Sequence, residues 1–203
     1  LRVSEIFHSL QGESTRAGLP TVFVRLTGCP LRCTWCDTEY AFSGGETRTL
    51  GDVLIEVARH GAGQVCVTGG EPLAQKACLP LLTALCDAGY SVSLETSGAL
   101  DIAAADPRVS RVMDLKTPGS GEEARNLWSN LDALTPHDQL KFVICSRGDY
   151  EWARARLRER GLDTLCEVLF SPAWGRLEAR ELAEWILADR LPVRLQLQLH
   201  KLL

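Results

Sequence analysis

Long apolar runs, a charge excess of one sign and flexible linkers are all missing from this sequence, and each absence removes a class of function. No segment approaches the ~20 consecutive apolar residues of a bilayer-spanning helix, so no membrane association is expected. The 22 Lys and Arg against 26 Asp and Glu leave a net charge of −4, without the clustered basic footprint of a nucleic-acid surface. The one local run, Arg154, Arg156, Arg158 and Arg160, alternates with Ala155, Leu157 and Glu159 and reads as a solvated helix face. Gly/Ser-rich stretches are confined to Ser43-Gly44-Gly45 and Pro118-Gly119-Ser120-Gly121, too short to separate folding units. Residues 1–203 therefore read as a single domain. Leu1-Arg2-Val3-Ser4-Glu5 shows no leader-like pattern, and a cytoplasmic enzyme is the expectation.

Cysteine, by contrast, is plentiful and unevenly placed. Cys29, Cys33 and Cys36 fall within eight residues, spaced C-x3-C-x2-C, with no fourth cysteine within reach. A structural zinc site wants four closed ligands, and His8 and His60 pair with nothing in that way. A disulfide framework belongs to short extracellular chains. Iron-sulfur cubanes are held by four thiolates, so three leave one iron open, and S-adenosylmethionine is the ligand that turns such a site into a radical source. The other five, Cys66, Cys78, Cys86, Cys145 and Cys166, lack cluster spacing and read as small buried hydrophobes. Trp128, Trp152 and Trp185 read as core aromatics, with Trp174 the exception.

Apolar, β-branched runs alternate with amphipathic segments, the pattern of βα units on a largely parallel sheet. Strands are predicted at Val22 to Leu26, Val65 to Thr68, Val92 to Glu95, Arg111 to Leu115, Leu140 to Cys145, Glu167 to Phe170 and Val193 to Gln198. Helices are predicted at Thr49 to His60, Ala74 to Ala88, Tyr150 to Arg160 and Leu177 to Asp189, with stops at Gly61, Gly89 and Gly161. About six units fall short of the ~250 residues of an eight-fold barrel, so an α/β fold with a partial (β/α)6-type barrel is expected.

Sites in such sheets lie at the carboxyl ends of the strands. There this sequence places Cys29, then Thr68-Gly69-Gly70-Glu71-Pro72, Glu95-Thr96-Ser97-Gly98 and Asp114-Leu115-Lys116. The glycines permit close approach of a ligand to the backbone, or form a tight turn. Glu95, Ser97, Asp114 and Lys116 offer partners for ribose hydroxyls and a carboxylate, or serve as caps and surface ion pairs.

The cysteine triad with an aromatic before its last member, followed by Gly69-Gly70-Glu71-Pro72, resembles the radical S-adenosylmethionine superfamily, whose fold is a full or partial barrel. Within it, Leu10-Gln11-Gly12-Glu13, Phe23 to Cys29, Cys36-Asp37-Thr38, Glu95-Thr96-Ser97-Gly98 and Gln198-Leu199-His200-Lys201 resemble the 7-carboxy-7-deazaguanine synthase family. That resemblance implies a radical lyase that contracts the ring of 6-carboxy-5,6,7,8-tetrahydropterin with loss of ammonia, on the queuosine and 7-deazapurine route. It implies a 4Fe-4S cluster on Cys29, Cys33 and Cys36, with adenosylmethionine cleaved to a 5′-deoxyadenosyl radical that takes hydrogen from C6 and recovers it. It also implies Mg2+ on Thr38, a flavodoxin- or ferredoxin-type electron donor and a homodimer.

Carried over by position, Leu10, Gln11, Gly12, Glu13, Thr68 and His200 would hold the pterin, and Arg25 would clamp its carboxylate as a planar fork. Trp35, Cys36, Asp37, Gly70, Glu71, Glu95, Ser97, Asp114, Leu115 and Lys116 would contact adenosylmethionine, as would Ser171, Pro172, Ala173 and Trp174. Arg25 also suits an ordinary ion pair, and His200 a strand-end surface position. The short spacing between the first two cysteines lacks the long insertion of some members, and Asp114-Leu115-Lys116 stands where many read Ser-Pro-Lys. Two other classes fit the cysteines alone: a glycyl-radical activating enzyme, which needs a protein-docking groove, and a non-enzymatic iron-sulfur redox sensor, whose spectrum ignores adenosylmethionine.

Overall fold

The structure is a computed structural model that describes residues 1–202. The chain opens with β1 (Arg2–Leu10) and β2 (Pro20–Leu26), an antiparallel pair. A two-residue β3 (Glu46–Thr47) joins the far edge of β1 through Arg2 and Val3. Then follow α1 (Leu50–Arg59), β4 (Gln64–Gly69), α2 (Cys78–Asp87), β5 (Ser91–Thr96), β6 (Ser110–Asp114), β7 (Gln139–Ile144), α3 (Arg147–Arg160), β8 (Glu167–Pro172), α4 (Ala179–Asp189) and β9 (Arg194–Leu195). All nine strands form one sheet in the order β3-β1-β2-β4-β5-β6-β7-β8-β9. Every pairing from β2 to β9 is parallel. The sheet is open at β3 and β9, so the expected α/β partial barrel is present and does not close.

Period-2 alternation divides the sheet into two chemistries. One face carries Val22, Val24 and Leu26 of β2, Val65 and Val67 of β4, Val92 and Leu94 of β5, and Phe142 and Ile144 of β7, all buried. These pack with Val53, Val57, Leu81, Leu82 and Leu85 of the first two helices, and with Tyr150, Leu182 and Ile186 of the last two. The opposite phase is largely polar: Arg25, Thr68, Glu95, Asp114 and Lys141. A sheet buried on one face by helices leaves its other face free to build a site.

Local chemistry explains the helix ends. Thr49 and Asp52 form a reciprocal capping box at the start of α1, and Ser146 accepts from Asp149 N at 3.2 Å at the start of α3. Gly161 ends α3 in the left-handed conformation, φ 58°.

Three differences from the predicted elements have physical causes. β1 escapes prediction because Ser4, Glu5, His8 and Ser9 dilute its apolar residues on a half-exposed edge. α2 begins at Cys78, because Pro72–Ala74 forms a 3-10 turn capped by Glu71 and Gln75 is drawn to the carbonyls of Arg2 and Thr27. The last strand spans only Arg194–Leu195, since the chain beyond it turns toward Gly12. No α-helix joins β5 to β6 or β6 to β7; the second link contains Pro118, Gly119, Gly121 and Pro136 and folds as 3-10 turns. Among the described residues no helix is long and apolar enough to cross a membrane.

Candidate active site

A cleft of about 500 Å³ opens at the carboxyl ends of the parallel strands. Its rim is the loop after β2, which carries Cys29, Cys33 and Cys36; Trp35, Asp37 and Thr38 line the same cleft. The loop is tied at several points. Gly28 N donates to Ala41 O at 2.7 Å and Thr34 N to Ser120 O at 3.0 Å. The Thr34 hydroxyl donates to Gly119 O at 2.7 Å, and Arg176 donates to Thr34 O at 2.5 Å. Burial raises the Cys29 thiol and pushes Cys33 up to about 11. Both are neutral thiols until a metal displaces the proton.

The three cysteines suit a cluster better than a lone ion. Among the described residues no three His, Cys, Asp or Glu side chains converge on a common metal position, as zinc demands. A cubane asks less, because each thiolate binds a different iron. Gly70 holds the loop close: a Cβ there would stand 2.8 Å from Cys29 Cβ and overlap the Gly28 carbonyl. Gly69 is closed in the same way by the backbone of Leu26. The glycine pair thus first makes room for the end of β2 and the cysteine loop, before any ligand.

Glu71 is fully buried and its side chain turns away from the cleft. Its carboxylate accepts from Ser97 N at 2.6 Å, Ser97 Oγ at 2.5 Å, Thr96 Oγ1 at 2.9 Å and Leu73 N at 3.0 Å, locking the end of β4 to the end of β5. Leu115, Ser171 and Pro172 are likewise buried and do not line the cleft, whereas Gly70, Glu95, Ser97, Asp114, Lys116, Ala173 and Trp174 do. Trp174 is 57% exposed at the rim.

The floor is a chain of polar contacts across the strands. Gln11 Nε2 donates to Glu95 Oε1 at 3.2 Å, and the Thr68 hydroxyl donates to Glu95 Oε2 at 3.1 Å. Glu13 accepts from Lys141 Nζ at 2.5 Å and from Gln198 Nε2 at 2.9 Å. Lys141 stands opposite Asp114 in the β6–β7 register, 3.8 Å from its carboxylate, which also pairs with Lys116 at 2.9 Å. The Lys116 ammonium lies 4.7 Å from the Trp35 ring centre. Burial works against the Glu13 charge, yet Lys141, Gln198 and His200 hold its carboxyl below the usual range. Burial also opposes the ammonium of Lys141, yet Glu13, Asp114 and Glu95 raise it strongly. Two buried polar atoms of the cleft, Trp35 Nε1 and Asp114 Oδ1, have no partner among the described residues. Unmatched groups of this kind are costly unless a ligand completes them.

Arg25 stands opposite Glu5 in the β1–β2 register and donates Nε to it at 2.7 Å. The rest of its guanidinium faces the cleft between Phe7 and Tyr40. Leu10, Gln11, Gly12 and Glu13 line the same wall, closed by the C-terminal turn. Leu199 N donates to Gly12 O at 3.0 Å, His200 packs on Gly12, and Lys201 Nζ pairs with Asp37 at 2.7 Å.

A sequence model described as "Radical SAM superfamily" matches residues 23–170. The 7-carboxy-7-deazaguanine synthase of Koribacter versatilis is 44% identical, covering 99% of this chain and 96% of the relative. The enzyme of that name from Chlorobaculum tepidum is 47% identical, covering 99% and 93%. The chain belongs to the 7-carboxy-7-deazaguanine synthase family. The crystal structure of QueE from Escherichia coli matches with a TM-score of 0.78 at 26% identity, covering 97% of this chain and 93% of that one. Streptococcus suis SuiB, solved bound to S-adenosylmethionine, shares the fold alone, with a TM-score of 0.57 at 13% identity. A synthase of this family is a radical SAM lyase, which implies a 4Fe-4S cluster and S-adenosylmethionine. The glycyl-radical activating enzyme and the redox sensor are not favoured.

Within this synthase Lys141, Glu5 and Tyr40 have no role from the sequence, and Gln198 enters only as part of the motif Gln198-Leu199-His200-Lys201; all four are built into the cleft wall or against Arg25. The only local signal for Lys141 is a lone charge inside the apolar run Leu140 to Ile144.

Proposed function

We propose that this chain contracts 6-carboxy-5,6,7,8-tetrahydropterin to 7-carboxy-7-deazaguanine with loss of ammonia, in the cytoplasm, on the route to queuosine in tRNA, with residues 1–203 acting as one radical SAM core domain. The observation that carries the reading is that a single cleft unites the three-cysteine loop with Gln11, Glu13, Arg25, Thr68 and Glu95. A pterin presents N–H donors along its pyrimidine edge, and the carboxylates of Glu13 and Glu95 are acceptors of matching type. The free end of the Arg25 guanidinium suits the substrate carboxylate.

Cys29, Cys33 and Cys36 would hold the cluster. Gly70, Asp114 Oδ1, Lys116 and Trp35 would meet the adenosylmethionine. When bound, these groups supply an electron and a carbon-centred radical able to take hydrogen from substrate C6. The chain's own task is to fix C6 in reach, with Arg25 holding one end of the substrate and Glu13, Glu95 and Thr68 the other. The turn from Gln198 to Lys201 excludes water by lying across Gly12 and Asp37.

Thr38 would contribute one oxygen to magnesium. Its hydroxyl now donates to Asp37 at 2.8 Å, and Asp37 is already paired with Lys201, so substrate oxygens and water must complete the hard shell. A flavodoxin- or ferredoxin-type donor is supported by the exposed cations Arg32 and Arg176 beside the cysteine loop. A homodimer is supported by the edge of β1, where β3 pairs only Arg2 and Val3.

Anaerobic incubation of reconstituted protein with carboxytetrahydropterin, adenosylmethionine, reductant and magnesium should give 7-carboxy-7-deazaguanine and one ammonia per turnover. Cleavage of adenosylmethionine with no deazapurine at any protein concentration would overturn the substrate assignment, and a turnover indifferent to magnesium would remove Thr38 from its role.

A further inference from the structure

Lys141 is the one charged residue in the cleft that the roles above leave without a function. It is largely buried on β7, its side chain 12% exposed, and reaches both halves of the site: Glu13 on the pterin side at 2.5 Å and Asp114 on the adenosylmethionine side at 3.8 Å. We propose that Lys141 is a positioning residue of the pterin pocket: its ammonium holds Glu13 as a carboxylate, aimed into the cleft as acceptor for the N–H edge of the pyrimidine ring. This rests on the pterin reading above.

The physical argument concerns what Glu13 becomes without its partner. Glu13 and Lys141 are both about nine-tenths buried, and a buried carboxyl with no cation takes up a proton. A protonated carboxyl has lost half its acceptor capacity and gained a donor, which faces the ring's own donors. The groups turned toward Glu13 are Lys141 from β7, Gln198 and His200 from the C-terminal turn, and the backbone N–H of Glu13 itself is held by Gln11 Oε1 at 3.2 Å. Lys141 in turn faces Glu13, Asp114 and Glu95, with Lys116 as the nearby like charge. Gln198 is neutral, so Lys141 is the only permanent cation in hydrogen-bond contact with Glu13 among the described residues. The register explains the placement: Asp114 and Lys141 are directly paired on neighbouring strands, so the ammonium is fixed by the sheet rather than by a loop.

The test is the pH dependence of binding, read on anaerobic reconstituted protein by quenching of the fluorescence of 6-carboxypterin, a non-reacting analogue. The wild type should bind with an affinity nearly flat between pH 6 and 8.5. Lys141→Met should bind at least 10-fold more weakly at pH 6 and regain affinity as the pH rises and Glu13 ionises. Lys141→Arg should restore most of the flat profile. The double variant Glu13→Gln with Lys141→Met removes both charges; it should bind weakly with no recovery at high pH. An affinity lowered evenly at all pH values in Lys141→Met would mark Lys141 as merely structural and overturn the proposal, as would an unchanged affinity. If Lys141→Met does not fold, a pH-dependent recovery of binding in the double variant does the same. Wild-type protein that ignores 6-carboxypterin would instead strike the pterin reading itself.

Discussion

The cysteine loop and the strand-borne floor face each other across one cleft and are built on opposite principles. The loop is held by backbone hydrogen bonds and by side-chain bonds to neighbouring loops, its own Thr34 hydroxyl on Gly119 and Arg176 on Thr34. Its reactive groups are left unsatisfied: two thiols raised by burial and a Trp35 Nε1 without a partner. On the floor, polar groups hold one another in a chain from Gln198 through Glu13, Lys141 and Asp114 to Lys116, with Lys141 and Asp114 fixed on paired strands and Asp114 Oδ1 left without a partner among the described residues. The difference is chemical. A metal-binding loop must surrender protons and take new ligands, whereas a recognition surface performs best when its groups are already oriented.

The sharpest way to break this comparison is at the loop. Cys33→Ala should abolish cluster assembly and turnover, because two thiolates cannot hold a site-differentiated cubane. Cys78, fully buried in α2 with its thiol pushed up to about 12, belongs to the core, and Cys78→Ala should retain the full iron content at a cost of about 1 kcal/mol in stability. Iron and sulfide analysis with melting temperatures separates the two, and equal iron loss in both would mean that the wrong thiols are assigned.

The same contrast decides what can be read from sequence. The loop is legible because its chemistry is local: C-x3-C-x2-C lies within eight residues and needs no fold to be recognised. The floor is scattered, one or two residues per strand. Lys141 and Glu13 are 128 positions apart, Gln11 and Glu95 84 apart; Glu95 and Lys141 are placed by the parallel sheet, whereas Gln11 and Glu13 reach them from the loop after the antiparallel β1. β1 adds to the difficulty, since a half-exposed edge strand carries no apolar run, and with it Glu5 escapes notice as the partner of Arg25. The helices are easier, because Thr49 marks a start by its capping side chain and Gly61, Gly89 and Gly161 mark ends by the left-handed backbone they permit, although α3 begins at Arg147 behind its Ser146 cap, three residues before the predicted Tyr150. Glu71 shows the limit of a motif: its pattern points to the cofactor, yet its carboxylate is consumed in tying β4 to β5.

A milder perturbation tests where loop and floor meet. Gly70→Ala should force the Gly28–Cys29 backbone outward, since the new Cβ would lie 2.8 Å from Cys29 Cβ. Overpacking of this kind costs about 1–3 kcal/mol, roughly 5- to 160-fold in an equilibrium, and should appear as weaker adenosylmethionine binding with the cluster still present. Undiminished affinity would show that the loop yields freely and that Gly70 does not set the distance between cluster and strand.

The smallest effect is expected at Asp37, where the loop is joined to the C-terminal turn. Contacts with His200 and Lys201 hold its carboxyl well below the ordinary 3.8 despite partial burial. A carboxyl depressed in the folded state stabilises that state fully above the ordinary value, and loses the effect only as pH falls through the depressed one. Between pH 5 and 8 the clasp is therefore constant in the wild type. Asp37→Asn removes it throughout that range, at the modest cost typical of a half-exposed ion pair, about 0.2–1 kcal/mol. The expected result is a two- to five-fold rise in KM for the pterin with little change in kcat. It should come with faster amide exchange at Leu199 and Lys201, whose N–H groups close the turn on Gly12 and Gln198. A fall in kcat with unchanged exchange would mean that Asp37 acts on the chemistry and that the turn is held by Gly12 alone.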